Sequence, residues 1–358
     1  MRTLALLAAL AGLIACSAGG SPPAAAPTAA SQLPPAAGAA AAQPAPTTLP
    51  TPVHMVVNWS AVSGSQTGLW MSYEGGYFQQ EGLDVELTNI QATSKAIQAM
   101  VAGEVQMGSV DPAAAIQSSL SGADIVMLFA SVNRLVFSIM AQPTIHQPAE
   151  LRGKSLGITR YGSSTNTAAL VALDLWGLVP DRDVSLLQLQ EVPAILAGMQ
   201  AGQVDAGVVS PPTNSRARQA GFNELINLAT DGPEYPSVAV GGPRAWVSAN
   251  DEAVRRFARA YVQGIHRFKT DKPWAIEVYR KYLRVDDPQV LDDTYVQFSA
   301  YFPSVPYVSE AGAERLLADL ASDDPRLAGR PVSDWIDSHY VRDLETSGYL
   351  RQLLGDSQ

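Results

Sequence analysis

The sequence predicts an α/β protein of two equivalent lobes, each a parallel or mixed sheet covered by helices on both faces. Three observations carry this. Short β-branched runs alternate with helical segments over residues 53–230, and the order of those segments recurs at a constant offset of 99 residues. The 306 residues from 53 to 358 are also enough for two domains at roughly 150 residues each.

In the first unit HMVVNW (54–59), LDVELTNI (83–90) and EVQMGSV (104–110) read as strands, and GLWMSYEGGYFQQ (68–80) and SKAIQAMVAG (94–103) as helices. The second unit repeats the order: KSLGITR (154–160), a helix over 165–177, VSLLQL (184–189), a helix over 192–201 and QVDAGVV (203–209). Residues 96–112 align without gaps on 195–211 with 7 identities in 17 positions, among them Gly103 with Gly202, Gly108 with Gly207 and Pro112 with Pro211. The same offset sets Val85 on Val184 and Leu87 on Leu186, so the repeat runs through the strands. Beyond Asp251 the chain turns helical. Val254, Phe257, Ala258, Tyr261, Val262, Ile265 and Phe268 make one buried stripe, and Pro273 sits just inside the next helix start. Arg255, Arg256 and Arg259 lie on the opposite face, where solvent is the expected neighbour.

Residues 1–52 hold a single charge, Arg2, and divide into an address and a tether. The apolar run Leu4–Ile14 is too short to span a bilayer of roughly 30 Å, and reads as an export signal over residues 1–15. Its end, Leu13-Ile14-Ala15-Cys16, looks like the lipobox of bacterial lipoproteins. That resemblance implies cleavage after Ala15 and lipidation of Cys16, a membrane anchor on the extracytoplasmic side. Residues 17–52 contain 13 Ala and 9 Pro, too little apolar bulk to offset ordering entropy, so 16–52 reads as a lipidated, disordered, semi-stiff linker.

Composition removes several function classes. A net charge of −10 and a pI near 4.9 argue against a nucleic-acid partner, which selects for a basic surface. The single cysteine rules out a disulfide framework, a cysteine zinc site and a Cys–His nucleophile in the folded part. His54, His146, His266 and His339 are scattered, with no HExxH or GxSxG element. Glu191 and Asp174 read as solvated helix carboxylates. No catalytic residue, metal or cofactor is expected.

Two equivalent lobes set two groups of strand ends across a cleft, where open α/β sheets bind ligands. After the first strands come Ser60, Ser63, Gly64, Ser65 and Gln66 in one lobe and Tyr161, Gly162, Ser163, Ser164 and Thr165 in the other. Such residues cap helices and leave N–H groups open to an anion. After the third strands stand Ser109, Asp111 and Pro112, with Ser210, Pro211 and Pro212 opposite.

GLWMSYEGGYFQQEGLDVEL, AMVAGEVQMGSVDPAAAI, ELRGKSLGITRYGSSTN, AILAGMQAGQVDAGVVSPP and DSHYVRDLETSGYL together resemble the solute-binding proteins of nitrate/sulfonate/taurine-type ABC importers, over residues 53–350. The resemblance implies a type II periplasmic-binding fold, two lobes joined by a double-crossover hinge. It places the crossings near 138–142 and 236–242, with lobe one over 53–142, lobe two over 143–235, and a return to lobe one with C-terminal helices over 236–358. It implies ligand contacts at Trp59, Ser60, Ser63, Gly64, Ser65, Gln66, Ser109, Asp111, Arg134, Tyr161, Gly162, Ser163, Ser164, Thr165 and Ser210. Trp59 and Tyr161 read either as a clamp on a flat or apolar ligand part or as ordinary core aromatics, and Arg134 either as the partner of an anionic group or as a surface or interlobe ion pair. Asp111 suits an amine and repels a strong anion. The pyrimidine-precursor branch of the superfamily typically has a Trp-x-Pro-Asn loop, which Asn58-Trp59-Ser60 begins without completing.

The implied function is a monomeric, lipid-anchored binding component that takes a small organic solute to a membrane permease without chemistry. The ligand would be sulfonate-, taurine- or nitrate-like, or a related amine or heterocycle. An enzyme on the same fold, resembling a pyrimidine-precursor synthase, and a sensory ligand-binding lipoprotein are the alternatives.

Overall fold

Among the described residues, ten strands form two five-stranded sheets of one topology. They are β1 Val53–Trp59, β2 Leu83–Asn89, β3 Met107–Val110, β4 Ile125–Arg134, β5 Ser138–Ala141, β6 Lys154–Ile158, β7 Val184–Gln188, β8 Ala206–Val209, β9 Asn223–Asn227 and β10 Glu234–Pro243. The first sheet runs β2-β1-β3-β10-β4 and the second β7-β6-β8-β5-β9. The computed structural model describes residues 52–91 and 93–355, all within the compact unit Leu49–Gln358. The expected signal peptide, Cys16 and the expected linker as far as residue 51 lie outside the described residues.

The 99-residue repeat is a repeat of hydrogen-bond register. Val57 pairs with Met107 and Asn58 with Gly108; at the same offset Leu156 pairs with Ala206 and Gly157 with Gly207. Met55 opposite Val85 is likewise matched by Lys154 opposite Val184. The glycines shared at 108 and 207 have a steric reason: a Cβ would come within 2.2 Å of Asn58 Oδ1 at the first and 2.3 Å of Ile195 Cγ2 at the second.

Each sheet is mixed because its antiparallel strand arrives from the other lobe. β4 leaves the first sheet, residues 135–137 cross, and β5 inserts between β8 and β9. β9 leaves the second sheet, residues 228–233 cross, and β10 inserts between β3 and β4. The expected crossings at 138–142 and 236–242 are therefore corrected to earlier positions. Both expected stretches are themselves paired strands, and the second sheet begins at Ser138 and ends at Asn227.

The helices follow in order: α1 Thr67–Glu74, α2 Tyr77–Gln80, α3 Thr93–Val101 and α4 Pro112–Ser119 in lobe one. Lobe two holds α5 Ser164–Leu175, α6 Val192–Gln200 and α7 Thr213–Gln219, and α8 Leu228–Asp231 lies in the second crossing. The C-terminal tail contributes α9 Arg244–Ala249, α10 Asp251–Thr270, α11 Lys272–Leu283, α12 Pro288–Tyr301, α13 Glu310–Asp323, α14 His339–Thr346 and α15 Tyr349–Leu354. The helix expected over 68–80 is two helices, since Gly76 takes a φ of 69° that only glycine adopts cheaply.

The two faces of β4, whose alternation is shifted by irregularities opposite Val240/Gly241 and Val238/Ala239, divide the core. Val126, Leu128 and Val132 of β4 join α1, α10, α11 and α12 in one apolar cluster. Ile125, Met127 and Ala130 face a second cluster that passes through Leu135, Phe137 and Ile139 into lobe two and takes in α13. The buried stripe of α10 is observed. Its opposite face is not left to solvent: Arg256 pairs with Glu252 at 3.0 Å, Arg259 with Glu81 at 2.7 Å, and Arg255 with Asp251 at 2.7 Å and with Asp343. The tail also covers the free edge of β4, where Met127 N donates to Trp335 O and Asp337 N to Met127 O.

Candidate ligand cleft

Strand ends from the two lobes meet directly. Asp111, just beyond β3, caps α4 by accepting from Ala114 N at 3.0 Å. Ser164, at the start of α5, donates its hydroxyl to the other Asp111 oxygen at 2.7 Å. Loss of hydration pushes the Asp111 carboxyl above its ordinary range, outweighing the bonds from Ser164 and the helix amides.

The turns after β1 and β6 share a device. Ser60 N donates to Gln66 Oε1 at 3.3 Å, and 99 residues on, Thr159 N donates to Thr165 Oγ1 at 2.9 Å. Each side chain thereby satisfies a backbone donor left where its strand ends. Ser63 caps the 3-10 turn Gly64–Gln66 and Ser163 caps α5. The Ser60 hydroxyl also reaches the Ser109 hydroxyl at 3.0 Å, and the hydroxyls of Thr159, Ser163 and Thr165 lie within 2.7–2.9 Å of one another.

The environments differ. In lobe one Ser63, Gly64, Ser65 and Gln66 are buried. A Cβ at Gly64 would lie 2.2 Å from the Phe298 ring of α12, and Thr67 Oγ1 meets the buried Tyr279 hydroxyl of α11 at 2.6 Å. In lobe two Tyr161 and Gly162 are exposed, and Ser163 and Ser164 are half-buried.

Two expected roles are corrected. Tyr161 does not clamp opposite Trp59: its hydroxyl donates to Leu186 O at 3.2 Å within lobe two, and the residue is 51% exposed. Trp59 packs edge-on against Trp70 at 5.4 Å and Tyr282 at 5.9 Å, all in lobe one. The residue equivalent to Trp59 is Ile158, which ends β6. Arg134 is a hinge residue, donating to Gly232 O at 2.9 Å in the second crossing. It lines a cavity of about 220 Å³ with Thr230 and Tyr301. A larger cavity of about 650 Å³ lies in the tail between α13 and residues 327–342, away from every expected contact residue.

Sequence reasoning missed Thr159, Asn214 and Gln297. Thr159 was within reach, being Ser60 moved by the repeat. Asn214 Nδ2 donates to Gln297 Oε1 at 2.9 Å, and Gln297 Nε2 to Ser215 Oγ at 3.3 Å, so α12 joins lobe two beside Ser210. A polar residue on a tail helix gives no such signal in one dimension.

The family model described as NMT1/THI5 like matches residues 64–273, more than half the chain. The chain belongs to the NMT1/THI5-like family. A relative in Brucella abortus (strain 2308), named as a binding protein, is 25% identical over 222 residues, 60% of this chain. The match spans 66% of that relative, just under two thirds of its length. The formylaminopyrimidine-binding protein of Halalkalibacterium halodurans is 23% identical over 306 residues, 80% of this chain and 85% of that one. Among solved structures, the alkanesulfonate-binding protein SsuA of Xanthomonas axonopodis pv. citri, bound to MOPS, superposes with a TM-score of 0.65 at 20% identity, covering 81% of this chain and 99% of that chain. The fold of this NMT1/THI5-like chain is thus the periplasmic-binding fold, with two mixed sheets in the shared order.

Proposed function

We propose that this protein is the lipid-anchored solute-binding component of an ABC importer, capturing a small organic ligand between its lobes and passing it to a membrane permease. The carrying observation is the meeting of strand ends from two register-matched lobes, with Ser164 of one bonded to Asp111 of the other. Two lobes on a double crossover can open and close, and a ligand that contacts both favours the closed state by its differential affinity. The relatives' names support binding over chemistry. No helix among the described residues is long and apolar enough to cross a membrane, and the anchor is assigned to Cys16 by its lipobox.

Cleft side chains favour hydroxyl and carboxamide recognition, with Arg134 held at the hinge and Asp111 the carboxylate nearest the strand ends. Calorimetry with a formylaminopyrimidine and with MOPS separates an amino heterocycle from a sulfonate. Ligand recovered unchanged after denaturation supports capture; a converted product replaces this reading with an enzyme. Cys16→Ala should release the protein from membranes, and a variant that stays bound removes the lipid anchor.

A further inference from the structure

We infer that Asp111 and Ser164 form a latch holding the lobes closed without ligand, while the pair equivalent to them, the buried Ser210 and Ser65, makes no such bond. The inference rests on the solute-binding reading of the cleft, and its geometry comes from the reciprocal exchange of strands. β5 enters lobe two from lobe one as β10 enters lobe one from lobe two. Where the crossings begin and end, Arg134 of β4 stands opposite Glu234 of β10, and Asn227 of β9 opposite Ser138 of β5. That reciprocity is the arrangement of a two-fold axis, which makes contacts between equivalent units self-complementary.

Under this axis, position 111 of lobe one corresponds to 210 of lobe two, and 164 of lobe two to 65 of lobe one. The contact Asp111–Ser164 therefore has a counterpart, Ser210–Ser65. Only the first is made. Both Asp111 oxygens are already accepting, one from Ala114 N and one from Ser164. The Ser65 hydroxyl accepts from Gln66 Nε2 at 3.2 Å, and no hydrogen bond joins it to Ser210 among the described residues. Aspartate reaches where serine does not. Asp111 caps α4, whereas α7 is entered through Pro212 with no side-chain cap, and of residues 111 and 210 only the aspartate bonds to the opposite lobe. Of the four positions in the two pairs, 65 and 164 are both serine, and only 111 and 210 differ in residue type.

Both Asp111 and Ser164 are positioning residues, and their test needs no ligand, so failure of the latch is distinguishable from failure of solute binding. The full chain carries Cys16→Ser, with spin labels on Gln98→Cys and Gln200→Cys, both exposed and in different lobes. Electron–electron resonance then reads the interlobe distance in the unliganded protein. Asp111→Ser keeps a cap on α4 but shortens the reach; Ser164→Ala leaves the α5 cap at Ser163 intact. Each should lose the short-distance population, the double variant should lose no more than either alone, and Ser164→Thr should restore it. Ser65→Ala and Ser210→Ala should leave the distribution at wild type. A wild-type protein already open, latch variants without effect, additive latch variants, or a loss in the Ser65 and Ser210 variants as large as in the latch variants would each overturn the proposal.

Discussion

The turns after β1 and β6 occupy equivalent places in a repeated unit, satisfy their first backbone amide in the same way, and yet face different worlds. In lobe one the turn is walled in by α11 and α12; in lobe two its counterpart is open at Tyr161 and Gly162. The repeat therefore supplies local geometry, and the non-repeated tail decides which copy is buried. A duplicated motif can become one buried wall and one open wall without change to its own hydrogen bonding.

The largest test of this contrast pairs two glycines. Gly64→Ala forces a methyl into the Phe298 ring and should cost about 2–3 kcal/mol in urea unfolding. Gly162→Ala meets open space and pays only for its φ of 72°, about 1 kcal/mol. Equal costs would break the comparison. Next, Tyr279→Phe removes the buried hydroxyl contact with Thr67 and should cost about 1–2 kcal/mol by the same measurement. Ser163→Ala removes the α5 cap, at about 1 kcal/mol, with the loss seen as faster hydrogen exchange in the first turn of α5.

A smaller effect is expected from pH. The folded-state pKa of Asp111 is raised, so its contribution is fully present below the ordinary value of 3.8 and is lost as pH rises through the elevated value. Tyr235 of β10 faces the same carboxylate, with Asp319 and Arg315 of α13 beyond it and Asp174 of α5 beside Asp319. Thermal melts across the acid range should show this slope in the wild type and a flatter one in Asp111→Asn; parallel profiles would remove Asp111 as the source. Smallest of all, Tyr161→Phe should change stability by less than about 0.5 kcal/mol, as for an exposed side chain.

What was legible in one dimension was whatever the repeat wrote twice. Gly108 and Gly207 mark positions where strand and neighbour leave no room for a Cβ, so their spacing carried register into the sequence. The capping serines were legible because a cap is local. The crossings were not, since β5 and β10 read as ordinary apolar strands and their partners lie in separate parts of the chain. Tyr161 was misread because the strand it follows ends at Ile158, which lets the ring fold back along its own lobe. Gln297 and the burial of Ser63–Gln66 depend on where a distant helix docks, which periodicity does not reveal.

The exchange of strands also orders assembly in time. Every strand of the second sheet lies in one continuous stretch, Ser138 to Asn227, whereas the first sheet needs β10 and its core needs helices to residue 354. A chain emerging from its N-terminus has all five strands of the second sheet before β10 is available to the first. The lobe that begins the chain receives its last strand only after the other lobe has all of its own.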